Sequence, residues 1–166
     1  MEGKVIPPEL EVLFEEIKTP VIFATVDDYP HATPMNWLWL KDEEVFWFNP
    51  AGRTRKIELL KKNGNVCFGT VDEMKKDKKG FMVWGEVVKF EYGFWALGKN
   101  ALIKKRMLAK KSQICLDLRI LKFWIAYSRH PDIHYSTLPW IAAFVRVKPK
   151  RILYWQGDQI EKEIML

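Results

Sequence analysis

Apolar positions along this chain change period several times, and each change marks an element. After Pro7-Pro8, the residues Leu10, Leu13, Phe14 and Ile17 recur at helical spacing with glutamates between them. This predicts an amphipathic helix opened by proline and ended by Thr19-Pro20. Residues 21–26 are β-rich, and Asp27-Asp28-Tyr29-Pro30 reads as a turn. A second strand is expected over 31–40, interrupted by Pro34. A proline there implies an edge, a bulge or backbone groups that face a ligand. Lys41-Asp42-Glu43-Glu44 predicts a tight turn, so that residues 45–48 pair back as a hairpin.

Ile57, Leu59 and Leu60 give an apolar face to a helix over 54–62, and Gly64 supplies its stop. Strands are expected at 65–72 and 81–92, around a solvated loop of Lys75-Lys76-Asp77-Lys78-Lys79. Gly85 inside the second of these strands implies a bulge or a close backbone approach. Residues 96–111 read as a helix with Lys99, Lys104, Lys105, Arg106, Lys110 and Lys111 toward solvent. Residues 117–128 are apolar enough for a buried helix or strand, and their period does not decide between them. His130-Pro131 ends that segment. Strands at 140–147 and 151–155 follow, separated by Lys148-Pro149-Lys150. The total is about six or seven strands with hairpin spacing. That predicts a mainly β protein with helices (α+β), an antiparallel barrel carrying a helical insert at about 94–138. No repeat or linker divides the chain, so one domain is expected over residues 1–166.

Composition narrows the setting. Hydrophobic residues make up 48% and charged residues 29%, which excludes a disordered chain. Eight tryptophans are many for 166 residues. Some must lie at surfaces or interfaces, which favours a homodimer. The formal net charge of +6 admits an anionic ligand. The acidic residues balance enough of the lysines to argue against a dedicated nucleic-acid binder. The two cysteines, Cys67 and Cys115, match no metal spacing; Cys67 reads as a small core residue, and pairing between the two stays open. His130 and His134 are separated by Pro131, which spoils helical metal-ligand geometry. No signal peptide is recognisable and no apolar run reaches about 18 residues, so a cytoplasmic protein off the membrane is expected.

The residue cluster with the most chemistry is Gly52-Arg53-Thr54-Arg55-Lys56. Cations at a helix start are electrostatically disfavoured unless an anion offsets them. Arg55 can grip two phosphate oxygens, Thr54 adds a hydroxyl, and Lys56 and Arg53 add charge. The plainer alternative is an ordinary N-cap followed by solvated basic residues. In the preceding strand, Thr33, Met35 and Asn36 stand where an interrupted strand can offer polar backbone groups to a flat ring. A phosphate clamp beside a planar-ring slot suggests a flavin mononucleotide (FMN) site. Trp140 and Trp155 suit either ring stacking or an interface. No acidic pair or activated nucleophile stands out, so chemistry here needs a cofactor.

Residues 10 to about 90 resemble the pyridoxamine 5′-phosphate oxidase-like family of FMN-binding split β-barrels. The resemblance rests on Thr19-Pro20 leading into Val21-Ile22-Phe23-Ala24-Thr25 and on Pro30-His31-Ala32-Thr33-Pro34-Met35. It rests also on Val45-Phe46-Trp47-Phe48-Asn49 followed by Thr54-Arg55-Lys56, and on Asn63-Gly64-Asn65-Val66. The tail Val145-Arg146-Val147-Lys148-Pro149-Lys150-Arg151-Ile152 is similar to the family's last strand. The resemblance implies a homodimer with FMN at the subunit interface. It implies phosphate held by Thr54, Arg55 and Lys56, and a ring edge read by Thr33, Met35 and Asn36 with Phe48 and Asn49 alongside. Trp140 or Trp155 would reach the partner's flavin. The oxidase's own R-x-V-L-L-K pattern is replaced by Thr33-Pro34-Met35-Asn36-Trp37-Leu38, so vitamin B6 oxidation itself is not implied. The expected function is an FMN-dependent oxidoreductase acting on a small-molecule substrate or a nicotinamide donor. The alternatives are a carrier module for flavin, deazaflavin or haem, and a basic interaction protein without a cofactor.

Overall fold

The computed structural model describes residues 6–26, 29–50, 54–72, 78–112, 143–157 and 159–166. Helix α1 spans Pro8–Glu16, with no side-chain cap at Pro7 and a proline in its first turn. Strands β1 (Val21–Val26), β2 (Pro30–Met35), β3 (Trp37–Leu40) and β4 (Val45–Phe48) follow. Then come α2 (Arg55–Lys62), β5 (Asn65–Asp72), β6 (Lys79–Tyr92), α3 (Gly93–Ser112), β7 (Ala143–Gln156) and β8 (Gln159–Met165). All strands belong to one 8-stranded sheet of order β2-β1-β5-β6-β7-β4-β3, with β8 also on β7. Every pairing is antiparallel. The first half of β7 pairs with β4 and its second half with β8. The sheet thus divides along β7, and the mainly β, antiparallel barrel architecture expected from the sequence is what the chain forms.

The expected strand over 31–40 is two strands, β2 and β3, at opposite ends of the sheet order. The break falls at Asn36 and not at Pro34. Pro34 stays within β2, opposite Ile22, because β2 is an edge strand whose outward backbone positions need no ladder donor. The two strands expected at 140–147 and 151–155 are one, β7, running through Pro149. One of the two register shifts between β6 and β7 lies at Trp84/Gly85, with Gly85 opposite Pro149. A bulge there accommodates the missing N–H, and a Cβ on Gly85 would stand 2.6 Å from the Lys148 carbonyl oxygen. The expected turn at 41–44 is a short 3-10 segment, Lys41–Glu43, closed by Glu44 at φ 50°. Residues 113–142, with the apolar stretch 117–128 and Cys115, lie outside the described residues; α3 is the described part of the expected insert.

β3 and β4 read WLWL and VFWF without alternation because both of their faces are covered. Trp37, Trp39, Phe46 and Phe48 face the barrel interior, where α1 inserts Phe14. The Phe14 ring lies 4.8 Å from that of Phe46 and 5.1 Å from that of Phe81, both edge-on. Leu38, Leu40, Val45 and Trp47 face outward against Ala96 and Met107 of α3. Among the described residues nothing covers the opposite outer face, over β1, β5 and β6: Ile22 is 54% exposed and Met82 36%. There a groove of about 500 Å³ runs between Ile22, Ala24, Cys67, Met82 and Trp155. Cys67 therefore lines this outer groove and is half-buried rather than in the core; alternation along β5 turns it away from Val66 and Phe68, which point inward. Trp155 lies flat on Gly80, where a Cβ would stand 2.3 Å from the indole.

Candidate functional site

β2 and the start of α2 meet where Lys56 reaches Met35. On β2, His31, Thr33 and Met35 lie opposite Thr25, Phe23 and Val21 of β1. Strand alternation therefore points all three toward the inner face. On α2, Thr54 occupies the N-cap position with extended backbone and makes no side-chain cap bond. The helix is held there by Ile57 N–H donating to the Thr54 carbonyl at 2.9 Å. Ile57 and Leu60 bury the helix's apolar face in the core, and this rotation carries Lys56 inward too.

Lys56 is 8% exposed. Its ammonium lies 3.6 Å from the Met35 sulfur, a weak acceptor. Among the described residues no carboxylate faces it, and burial alone pushes its pKa down from 10.5 to about 8. On the same strand as Met35, the Thr33 hydroxyl is buried with no hydrogen-bond partner. The His31 pKa is lowered by burial and then by the charges of Lys56 and Arg55. The imidazole is thus neutral at neutral pH and registers a positive potential in the pocket. Arg55 is exposed at the mouth. A buried cation without a counter-charge among the described residues, at a helix start and near a strand carrying an unpartnered hydroxyl, is chemistry that suits an anion.

The residues expected to form one site divide into groups. Met35 and Lys56 are in contact, with Thr33, Thr54 and Arg55 on the same two elements. Asn36 instead faces a small crevice with Lys18, Trp37 and Lys110. The Phe48 side chain is fully buried against Phe23 and Phe68, which leaves only its backbone for a ligand. Asn49 donates its side-chain N–H to the Ala143 carbonyl at 2.9 Å, fastening the end of β4 to the start of β7. Arg53, Gly52 and Trp140 lie outside the described residues. Lys110, expected toward solvent, is turned in: its ammonium donates to the Phe14 carbonyl at 2.9 Å and lies 3.8 Å from the Trp37 ring centre. Helical spacing gave no sign of this, because a long lysine stem can lie along apolar surface from a flanking position.

No family model and no curated protein sequence matches the chain. Solved structures do. An F420 reductase superposes with a TM-score of 0.60 at 17% identity, over 89% of this chain and 98% of its own. An FAD-binding protein from Mesorhizobium loti gives 0.58 at 13% identity, over 95% and 100%. A protein related to general stress protein 26, of the pyridoxinephosphate oxidase family, from Clostridium acetobutylicum gives 0.53 at 19% identity, over 95% and 91%. The fold is therefore that of the pyridoxamine 5′-phosphate oxidase-like split barrels. Among the described residues no helix is long and apolar enough to cross a membrane.

Proposed function

We propose that this chain is a flavin-binding split-barrel protein that holds FMN and works as an oxidoreductase in the cytoplasm, as a single-domain subunit of a homodimer. The observation that carries the reading is the buried Lys56 ammonium, which meets only the Met35 sulfur and no carboxylate among the described residues, with an unpartnered Thr33 hydroxyl on the same strand. A phosphorylated ring compound supplies what both groups lack. Arg55 and Lys56 would bind the phosphate with Thr54, and β2 would present Thr33 and Met35 to the ring. When bound, FMN supplies hydride and electron transfer with a small substrate or a nicotinamide donor. The residues' part is to orient it, exclude water and keep positive charge near it. The outer face over β1, β5 and β6 suits a second copy of the chain, since Ile22, Met82 and the 500 Å³ groove are apolar and uncovered among the described residues.

The names of the similar structures favour flavins and their deaza analogues over nucleic acid. The test is the visible spectrum of the purified protein, then titration with FMN, riboflavin and F420. Flavin absorbance, with FMN bound at least about tenfold more tightly than riboflavin, is expected for a phosphate clamp. In Arg55→Ala/Lys56→Ala that preference should vanish while riboflavin binding persists. Equal loss of both ligands would remove the phosphate role, and preference for F420 would replace FMN by the deazaflavin.

A further inference from the structure

Helix α3 is fixed to the sheet along one side only. Ala96, Asn100 and Met107 are buried there, and Asn100 meets Trp47, Glu91 and Arg146. At about 3.6 residues per turn, Trp95, Lys99, Leu102 and Arg106 fall within roughly 60° of arc on the outward side. Trp95 is 84% exposed and Leu102 71%, and they stand about 10 Å apart along the axis. Lys99 and Arg106 flank this pair on one side and Lys105 on the other, all three exposed. The whole helix carries six cations and no acidic residue. Exposed Lys41, Lys150 and Lys162 elsewhere each meet a glutamate. Among the described residues no carboxylate pairs with Lys99, Lys105 or Arg106. Solubility accounts for unpaired surface cations. It does not account for two large apolar side chains held out among them.

We propose that this stripe of α3 docks on an anionic lipid surface. Lys99, Lys105 and Arg106 meet the phosphates of the headgroups, Trp95 sits at headgroup level and Leu102 enters the acyl boundary. The apolar pair favours lipid over nucleic acid, which would engage the cations and leave Leu102 in water. The contact is peripheral and needs no spanning segment. It revises the expectation of a protein off the membrane, which rested on the lack of a long apolar run. None of its residues belongs to the Lys56 site, so it does not depend on the flavin reading.

The test is flotation of the whole protein with phosphatidylcholine vesicles, with and without phosphatidylglycerol, at physiological ionic strength. Binding to a fluorescent single-stranded DNA is measured in the same buffer. Partitioning at least about tenfold stronger onto the anionic vesicles is expected. Lys99→Gln/Lys105→Gln/Arg106→Gln should abolish that preference. Lys41→Gln/Lys150→Gln/Lys162→Gln makes the same change in net charge away from α3 and should keep it. Trp95→Ala/Leu102→Ser should weaken binding to anionic vesicles at least about fivefold, with little change in urea unfolding because both side chains are exposed. Equal partitioning onto the two vesicle types would overturn the proposal. So would equal loss in the two charge variants, or vesicle binding untouched by Trp95→Ala/Leu102→Ser. DNA binding that needs Lys99, Lys105 and Arg106, without vesicle binding, would overturn it in favour of nucleic acid.

Discussion

Lys56 and Arg146 are both buried cations, 8% and 6% exposed, and their surroundings are opposite. Arg146 of β7 lies under α3. Its Nη1 donates to Glu91 at 2.5 Å and its Nη2 to the Asn100 side-chain oxygen at 3.3 Å. The Glu43 carboxylate lies 2.8 Å from Nε, yet Nε makes no aligned hydrogen bond, so Glu43 contributes charge there rather than a directed bond. Asn100 in turn donates to Glu91 at 3.1 Å and to the Ala96 carbonyl at 2.8 Å, and accepts from the Trp47 indole at 3.0 Å. Burial pushes the Glu91 carboxyl up, but Asn100 and Arg146 together hold it below the usual range. Among the described residues Lys56 has only the Met35 thioether. Desolvating a charge costs several kcal/mol unless partners restore what water gave. The Arg146 network carries its own counter-charge and fastens α3 to the sheet. Lys56 lacks one among the described residues, and that deficit suits an incoming anion.

The largest effect should come from breaking the complete network. Arg146→Leu leaves Glu91 charged and Asn100 half-satisfied beneath α3. It should lower the unfolding free energy by roughly 3–5 kcal/mol in urea titrations. A loss under about 1 kcal/mol would show that the network relaxes into water and does not secure the helix.

Sequence and structure agree where one physical cause dominates. The β1 strand, α1, the β3–β4 hairpin and the Gly85 bulge follow from periodicity, proline and glycine, which act within a few residues. The division of 31–40 was not legible, because it depends on the sheet curling until β2 and β3 lie at its two ends, a long-range outcome. The continuity of β7 through Pro149 was hidden for the same reason: only a partner bulge makes that proline tolerable. β8 was missed because its charged residues, Glu161, Lys162 and Glu163, obscure the alternation of Ile160 and Ile164. Within the candidate site, the local order of residues placed Thr54-Arg55-Lys56 at a helix start and Thr33 and Met35 on a strand, as the structure has them. Which lysine points inward was not, since helix rotation against the core decides it.

The opposite sign is expected at Lys56. Lys56→Met removes a buried charge without stranding a partner, so the ligand-free protein should gain about 1–3 kcal/mol near neutral pH. The pH dependence carries the same signature. The unfolded chain keeps the Lys56 proton to 10.5, the folded chain only to about 8. Between those values the unfolded state binds more protons, so stability rises with pH across that window and the cost is full below it. Lys110, depressed from 10.5 to about 8, adds a similar rise. Chemical denaturation from neutral to alkaline pH should therefore show a steeper rise for the wild type than for Lys56→Met. Saturation of the α2 pocket with FMN should remove the same portion of the slope. If Lys56→Met destabilises the ligand-free protein, the ammonium has a partner and the contrast with Arg146 fails.

The smallest effect tests the Thr33 hydroxyl on β2. Thr33→Val keeps the side-chain shape and deletes a buried oxygen that lacks a partner. Without ligand the change should be neutral or stabilising by up to about 1 kcal/mol, because no hydrogen bond is lost and a desolvated polar group is removed. With FMN the same substitution should weaken binding by about three- to tenfold, the worth of one hydrogen bond in a buried pocket. A clear loss of stability in the ligand-free protein would mean that the hydroxyl already has a protein or water partner. The pocket would then be complete without an anion, like the Arg146 network on the far side of the core.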